Sequence, residues 1–89
     1  MTILIDPPNV PAHGRFWSHL ASDESYDELH AFARTLGIPE RGFDRDHYDV
    51  PAEWYDDVLA AGALAVSSRV LVARLIAAGL RRRKPQRPR

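Results

Sequence analysis

The chain opens on Thr2-Ile3-Leu4-Ile5, a short β-branched and aliphatic run that Asp6-Pro7-Pro8 stops. Proline has no amide hydrogen to give to a ladder, so a strand ends there and an extended loop follows. Beyond Pro11-Ala12-His13-Gly14, the run Phe16-Trp17-Ser18-His19-Leu20-Ala21 predicts a second strand. A period of two puts Phe16, Ser18 and Leu20 on one face and Trp17, His19 and Ala21 on the other.

Helical patterning comes next. Ser25-Tyr26-Asp27-Glu28 has the spacing of a capping box, and Leu29, Phe32, Ala33 and Leu36 form one apolar stripe. Gly37 is the expected left-handed cap and Pro39 prevents resumption. A loop through Glu40–Asp44 leads to a third strand at Asp46–Val50. Pro51 suits the first turn of a second helix, with Trp54, Val58 and Ala61 buried and Gly62 closing it. Ala63–Val66 reads as a fourth strand. Ser67 or Ser68 caps a third helix whose Val70, Leu71, Leu75 and Ala78 point inward until Gly79.

The predicted order is β-β-α-β-α-β-α, an α/β fold with a small, mostly parallel sheet of about four strands and three helices packed on it. Ligands of such sheets sit beyond the carboxyl ends of the strands. On that expectation Asp6, Asp23 and Asp49 lie along one edge.

Composition narrows the class. Eighty-nine residues build one domain, expected over residues 1–80, followed by a basic, disordered tail at 81–89. The tail carries Arg81, Arg82, Arg83, Lys84, Arg87 and Arg89 and no acid. All twelve acids fall in the body against six arginines, so the formal charge of zero divides into −6 and +6. An acidic body repels phosphate backbones, which leaves nucleic acid only weak attraction through the tail. The absence of cysteine excludes disulfides, thiolate metal ligands and a cysteine nucleophile. No apolar run approaches the roughly 18–20 residues that span a bilayer, and MTILIDPPN lacks the features of a signal peptide. The expected location is cytoplasmic, with no membrane partner.

The run GRFWSHLASDESYDELHAFARTLGI, followed by HYDVP and then AAGALAV, resembles a small bacterial and phage family known only as a domain of unknown function. The resemblance covers about residues 2–80. It implies that Arg15, His19, Asp23, His30, His47, Tyr48 and Asp49 are signature positions, and it implies no activity, cofactor or substrate.

On a strand, His47 and Asp49 share one face and Tyr48 and Val50 the other. An imidazole beside a carboxylate makes a general base, or two ligands for a divalent metal. Asp49 is alternatively a helix cap, and His19 alternatively a hydrogen-bonded core histidine. His30 borders the apolar stripe of the first helix, Asp6 is a turn-former or an edge carboxylate, and Arg15 holds an anion or pairs with an acid. Glycine-rich phosphate loops, a Gly-x-Ser-x-Gly elbow and His-Glu-x-x-His are all absent.

Two function classes follow. In the first, the chain is a hydrolase or transferase for a phosphate-bearing or nucleotide-like ligand. His47, Asp49 and His19 are its catalytic residues or hold zinc or manganese, and Arg15, Asp6, Asp23, His30 and Tyr48 line the ligand pocket. In the second it is a non-catalytic module that docks another protein, and its histidines are structural.

Overall fold

A computed structural model describes residues 2–82. Its strands are β1 (Ile3–Ile5), β2 (Val10–Ala12), β3 (Arg15–Ser22), β4 (Phe43–Asp44), β5 (His47–Pro51) and β6 (Leu64–Ala65). The helices are α1 (Tyr26–Thr35), α2 (Tyr55–Ala60) and α3 (Ser68–Ala77), with single 3-10 turns at Glu40–Gly42 and Ala52–Trp54.

The fold is α/β with three helices, but the six-stranded sheet is mixed and mostly antiparallel rather than mostly parallel. Its order is β4-β5-β3-β1-β6, and β2 also pairs with β3. β3 runs antiparallel to β1, β2 and β5, and β4 antiparallel to β5; among the described residues only β1 and β6 pair in parallel. The reason lies between Ile5 and Arg15. Parallel neighbours need a crossover of a dozen or more residues, whereas here the chain turns back at once through His13 and Gly14. Both adopt positive φ, 52° and 75°, the backbone that a two-residue hairpin turn demands. Pro7 and Pro8 therefore interrupt one long hairpin arm, whose halves β1 and β2 both lie along β3.

Antiparallel pairing also separates Asp23 from the other two acids expected on one edge. β1 and β3 end at opposite ends of the sheet. Asp6 follows β1 and lies beside His19, whereas Asp23 follows β3 and its carboxylate accepts from the Thr2 amide at 2.8 Å.

Two apolar layers cover the sheet. On one face Ile5, Leu20, Tyr48 and Val50 pack with Leu29 and Ala33 of α1 and Val58 of α2. On the other, Leu4 and Ala21 pack with Leu71 and Leu75 of α3. The helix ends follow their local chemistry. The Ser25 hydroxyl accepts the Glu28 amide at 3.1 Å and the Ser67 hydroxyl the Val70 amide at 3.1 Å, and Gly37 takes φ 71°. The capping box is half made, because the Glu28 carboxylate accepts from the Ser22 hydroxyl instead of returning to Ser25. Pro51 closes β5 rather than opening α2, which begins after the intervening 3-10 turn. Val70 is exposed, since Leu71 and Leu75 one turn apart form the inner stripe, and Ala61 is exposed as well.

Leu20 is wholly buried where β3 crosses the core and Phe16 on the same strand is exposed. Leu20→Ala is expected to cost about 2–5 kcal/mol and Phe16→Ala less than about 0.5 kcal/mol, read as shifts in urea midpoint at constant m. Equal shifts would contradict the burial of Leu20 in mid-strand and the exposure of Phe16 near the strand's start.

Candidate metal centre

Alternation along β3 and β5 does more than bury Leu20 and Tyr48. With Leu20 opposite Tyr48, the ladder sets His19 opposite Asp49, and both point to the face that carries α3. His47, two residues before Asp49, joins them. The imidazole rings of His19 and His47 meet edge to face with centroids 4.8 Å apart. One ligand atom from each of His19, His47 and Asp49 lies within 4.8 Å of the other two. The side chains are 31%, 14% and 42% exposed respectively, so the group is held by the fold yet open to solvent.

Each imidazole is aimed by a buried carboxylate. Asp6 sits at the break between β1 and β2 with no exposed surface. One of its oxygens accepts the His19 backbone amide, and the other faces His19 Nδ1 at 2.8 Å and accepts the Ser68 hydroxyl at 2.7 Å. Burial alone would push the Asp6 carboxyl up, but those bonds outweigh it and hold the pKa below the ordinary value. The same bond to Asp6 raises the His19 pKa. With Nδ1 engaged, Nε2 is the His19 nitrogen left for a ligand.

Asp46 repeats the arrangement for His47. Its Oδ1 faces His47 Nδ1 at 2.7 Å, while Arg81 Nε and Nη2 grip Oδ2 and Oδ1 at 2.8 and 3.0 Å. Burial raises the Asp46 pKa, and the bonds from Arg81 and His47 more than offset it. The forked bond to Asp46 in turn raises the pKa of the Arg81 guanidinium. His47 Nε2 approaches Asp49 Oδ1 at 3.2 Å. With Nδ1 turned to Asp46, Nε2 is the His47 nitrogen that faces this carboxylate, and the two atoms are donors that one ion could share. Carboxylate-bound histidines are the usual outer support of metal-ligating imidazoles. Asp6, Asp46 and Asp49 against Arg81 leave two negative charges around the group, which suits a divalent ion.

Not all the residues named from sequence meet here. His30 and Tyr48 bond each other, Nδ1 to Oη at 2.6 Å, on the opposite face beside Phe43. Burial raises the Tyr48 pKa. Asp23 joins Thr2 to Arg74, its carboxylate 2.9 Å from the guanidinium. Arg15 pairs with Glu53 at 3.2 Å and lies over the Trp17 ring, outside the metal group but on the same stretch of β3. Asp49 belongs to β5 and caps no helix. Three supporting residues escaped the sequence reading. Ser68 reads as a helix cap, and Arg81 as the start of the charged tail, though it is bonded into the body; residues 83–89 of that tail lie outside the described residues. Asp46 had a visible signal, its position directly before His47.

The depressed Asp6 and Asp46 carboxyls stabilise the fold above the unfolded value near 3.8 and lose that contribution as pH falls through their lower folded values. His19, raised from 6.5, acts in the opposite sense: its contribution is full below 6.5 and is lost as pH rises through the folded value. Arg81→Met strips Asp46 of two bonds and is expected to cost about 1–3 kcal/mol at neutral pH. It should also move the acid unfolding midpoint, followed by circular dichroism, to higher pH. An unchanged midpoint would mean that Arg81 does not hold Asp46 in solution.

No curated protein and no solved structure matches the chain. Among the described residues no helix is long and apolar enough to cross a membrane. A family model described as a protein of unknown function, DUF4031, matches residues 3–78. That span takes in β1 through α3, with His19, His47, Asp49 and both supporting aspartates. The chain therefore belongs to the DUF4031 family.

Proposed function

We infer that the chain is a metal-dependent hydrolase or transferase acting on a small phosphate-bearing ligand, with zinc or manganese held by His19, His47 and Asp49. The observation that carries this reading is the pair of imidazoles, each backed by its own buried aspartate and converging with a third carboxylate. Two histidines and a carboxylate form a donor set that leaves a coordination position for water or substrate, as catalytic zinc sites do.

The chemistry such an ion supplies is the polarisation of a phosphoryl oxygen and the lowering of the pKa of a bound water. The chain's own residues do the rest. Asp6 and Asp46 hold His19 and His47 in the tautomer that presents Nε2, so the donors are oriented before the ion arrives. Asp49, the most exposed of the three, is the ligand nearest solvent. Ser68 and Arg81 keep the two aspartates from rotating away. The alternative of a protein-docking module gives no reason for two imidazoles and a third carboxylate to converge within 4.8 Å.

Titration of chelator-treated, untagged protein with zinc or manganese is expected to saturate at one ion per chain. His19→Ala, His47→Ala and Asp49→Ala should each abolish saturation, while Asp6→Asn should weaken it about 10–100-fold. Affinity should fall as pH drops, because protons compete for the imidazoles. For His19 that competition begins above the ordinary histidine value of 6.5. Wild-type protein that takes up no ion at neutral pH would end the reading.

A further inference from the structure

Beside the metal group lies a cleft of about 550 Å³ that none of the preceding chemistry uses. Its walls include Trp17 and Trp54, Arg15 and Arg41, Pro51, and at one margin Asp49. Three features distinguish it from an ordinary surface hollow.

The first is aromatic. The chain has two tryptophans, and both line this cleft. The Trp17 indole is fixed in place because its Nε1–H donates to the Ala12 carbonyl at 2.9 Å across the β2–β3 hairpin. Trp54 is set by the 3-10 turn that follows β5. A ring held in advance loses little freedom when a second ring stacks on it.

The second is charge. Two guanidiniums face one carboxylate in the cleft, inside a body that carries −6. Arg15 lies over Trp17 with its guanidinium carbon 5.6 Å from the ring centroid, and its bond to Glu53 is exposed on both sides. Exposed pairs of that kind hold their partners weakly, so an arriving anion can take the guanidinium. Arg41 makes no ion pair among the described residues. The third feature is position. Asp49 belongs to both the cleft and the metal group, so an anionic group lodged against the arginines lies next to the ion.

We propose that this cleft is the substrate site and that its ligand is a nucleoside monophosphate, the base resting on the indoles and the phosphate held by Arg15 and Arg41. The assignment rests on the metal-centre reading for its chemistry but not for its binding, which Trp17 and Arg41 supply without the ion. The volume falls within the range of small-ligand pockets. The acidic body favours a single nucleotide over a polymer, whose further phosphates it repels.

Because both tryptophans border the cleft, intrinsic fluorescence reports its occupancy. The test titrates full-length protein, zinc-free and zinc-loaded, with AMP and GMP, and with adenosine and ribose 5-phosphate as half-ligands. Zinc stoichiometry is measured on the same samples. Saturable quenching by at least one nucleotide is expected, with each half-ligand at least about tenfold weaker. Trp17→Ala and the exposed Arg41→Ala should each weaken binding by about tenfold or more; Trp17→Phe, which keeps a stacking face, should retain most of it. Loss of nucleotide binding with zinc still bound at one ion per chain overturns the cleft and spares the metal centre. Nucleotide binding that needs Trp17 and Arg41 but occurs in protein that takes up no zinc supports the cleft and removes the metal. Tighter binding of a 5′-phosphorylated trinucleotide than of either monophosphate overturns the choice of a single nucleotide.

Discussion

The register of β3 against β5 governs the molecule. Leu20 lies opposite Tyr48 and Ser18 opposite Val50, and Leu20, Tyr48 and Val50 enter the layer beneath α1 and α2. Strand side chains alternate, so the intervening pair, His19 and Asp49, is forced onto the other face. A slip of one residue would drive an imidazole and a carboxylate into an aliphatic layer and expose Leu20 and Tyr48 to water. Full burial of an aliphatic side chain is worth roughly 1.5–3 kcal/mol, and burial of an unpaired charge costs far more. The apolar layer therefore sets the polar geometry on the reverse of the same strands, without any bond between the histidines and the core.

Asp6 and Asp46 sit less comfortably with stability. Both are buried carboxylates whose neighbours include a histidine, and a neutral imidazole gives back only part of the cost of removing a carboxylate from water. A chain seeking stability alone would place aliphatic residues at such positions. Here each aspartate is instead saturated from several directions: Asp6 by a backbone amide, an imidazole and a hydroxyl, Asp46 by an imidazole and a forked guanidinium. Those bonds restrict rotation of the carboxylates and hence of the rings they hold. The exposed pairs, Arg15 with Glu53 and Arg74 with Asp23, have no comparable consequence.

Local chemistry was legible along the chain, and long-range pairing was not. Ser25, Gly37 and Ser67 act where their spacing placed them, because capping and left-handed turns depend on a few adjacent residues. The facing of side chains was equally legible: the period of two in Phe16–Ala21 and His47–Val50 correctly separates His19 and Asp49 from Leu20 and Tyr48. Strand direction was lost because alternating strands and helices suggest crossovers, and the hairpin turn uses His13-Gly14 rather than an Asn-Gly or Asp-Gly pair. The misplacement of Asp23 followed directly, since its expected edge existed only in a parallel sheet. Arg81 was hidden for a different reason. Charge counting groups it with the basic residues after it, and nothing local marks its guanidinium as the partner of Asp46.

The two histidine pairings in the structure show why the composition of a site matters more than the proximity of its rings. His30 Nδ1 and Tyr48 Oη lie 2.6 Å apart, and their bond closes on itself against Phe43, with no carboxylate bonded to either ring among the described residues. His19 and His47 also touch, yet their rings are not bonded to each other. Each Nδ1 is turned outward to a buried aspartate, and at His47 the remaining nitrogen faces a third carboxylate across 3.2 Å. The first arrangement is complete without a ligand. The second leaves an imidazole nitrogen and a carboxylate oxygen facing each other, two donor atoms within reach of one ion.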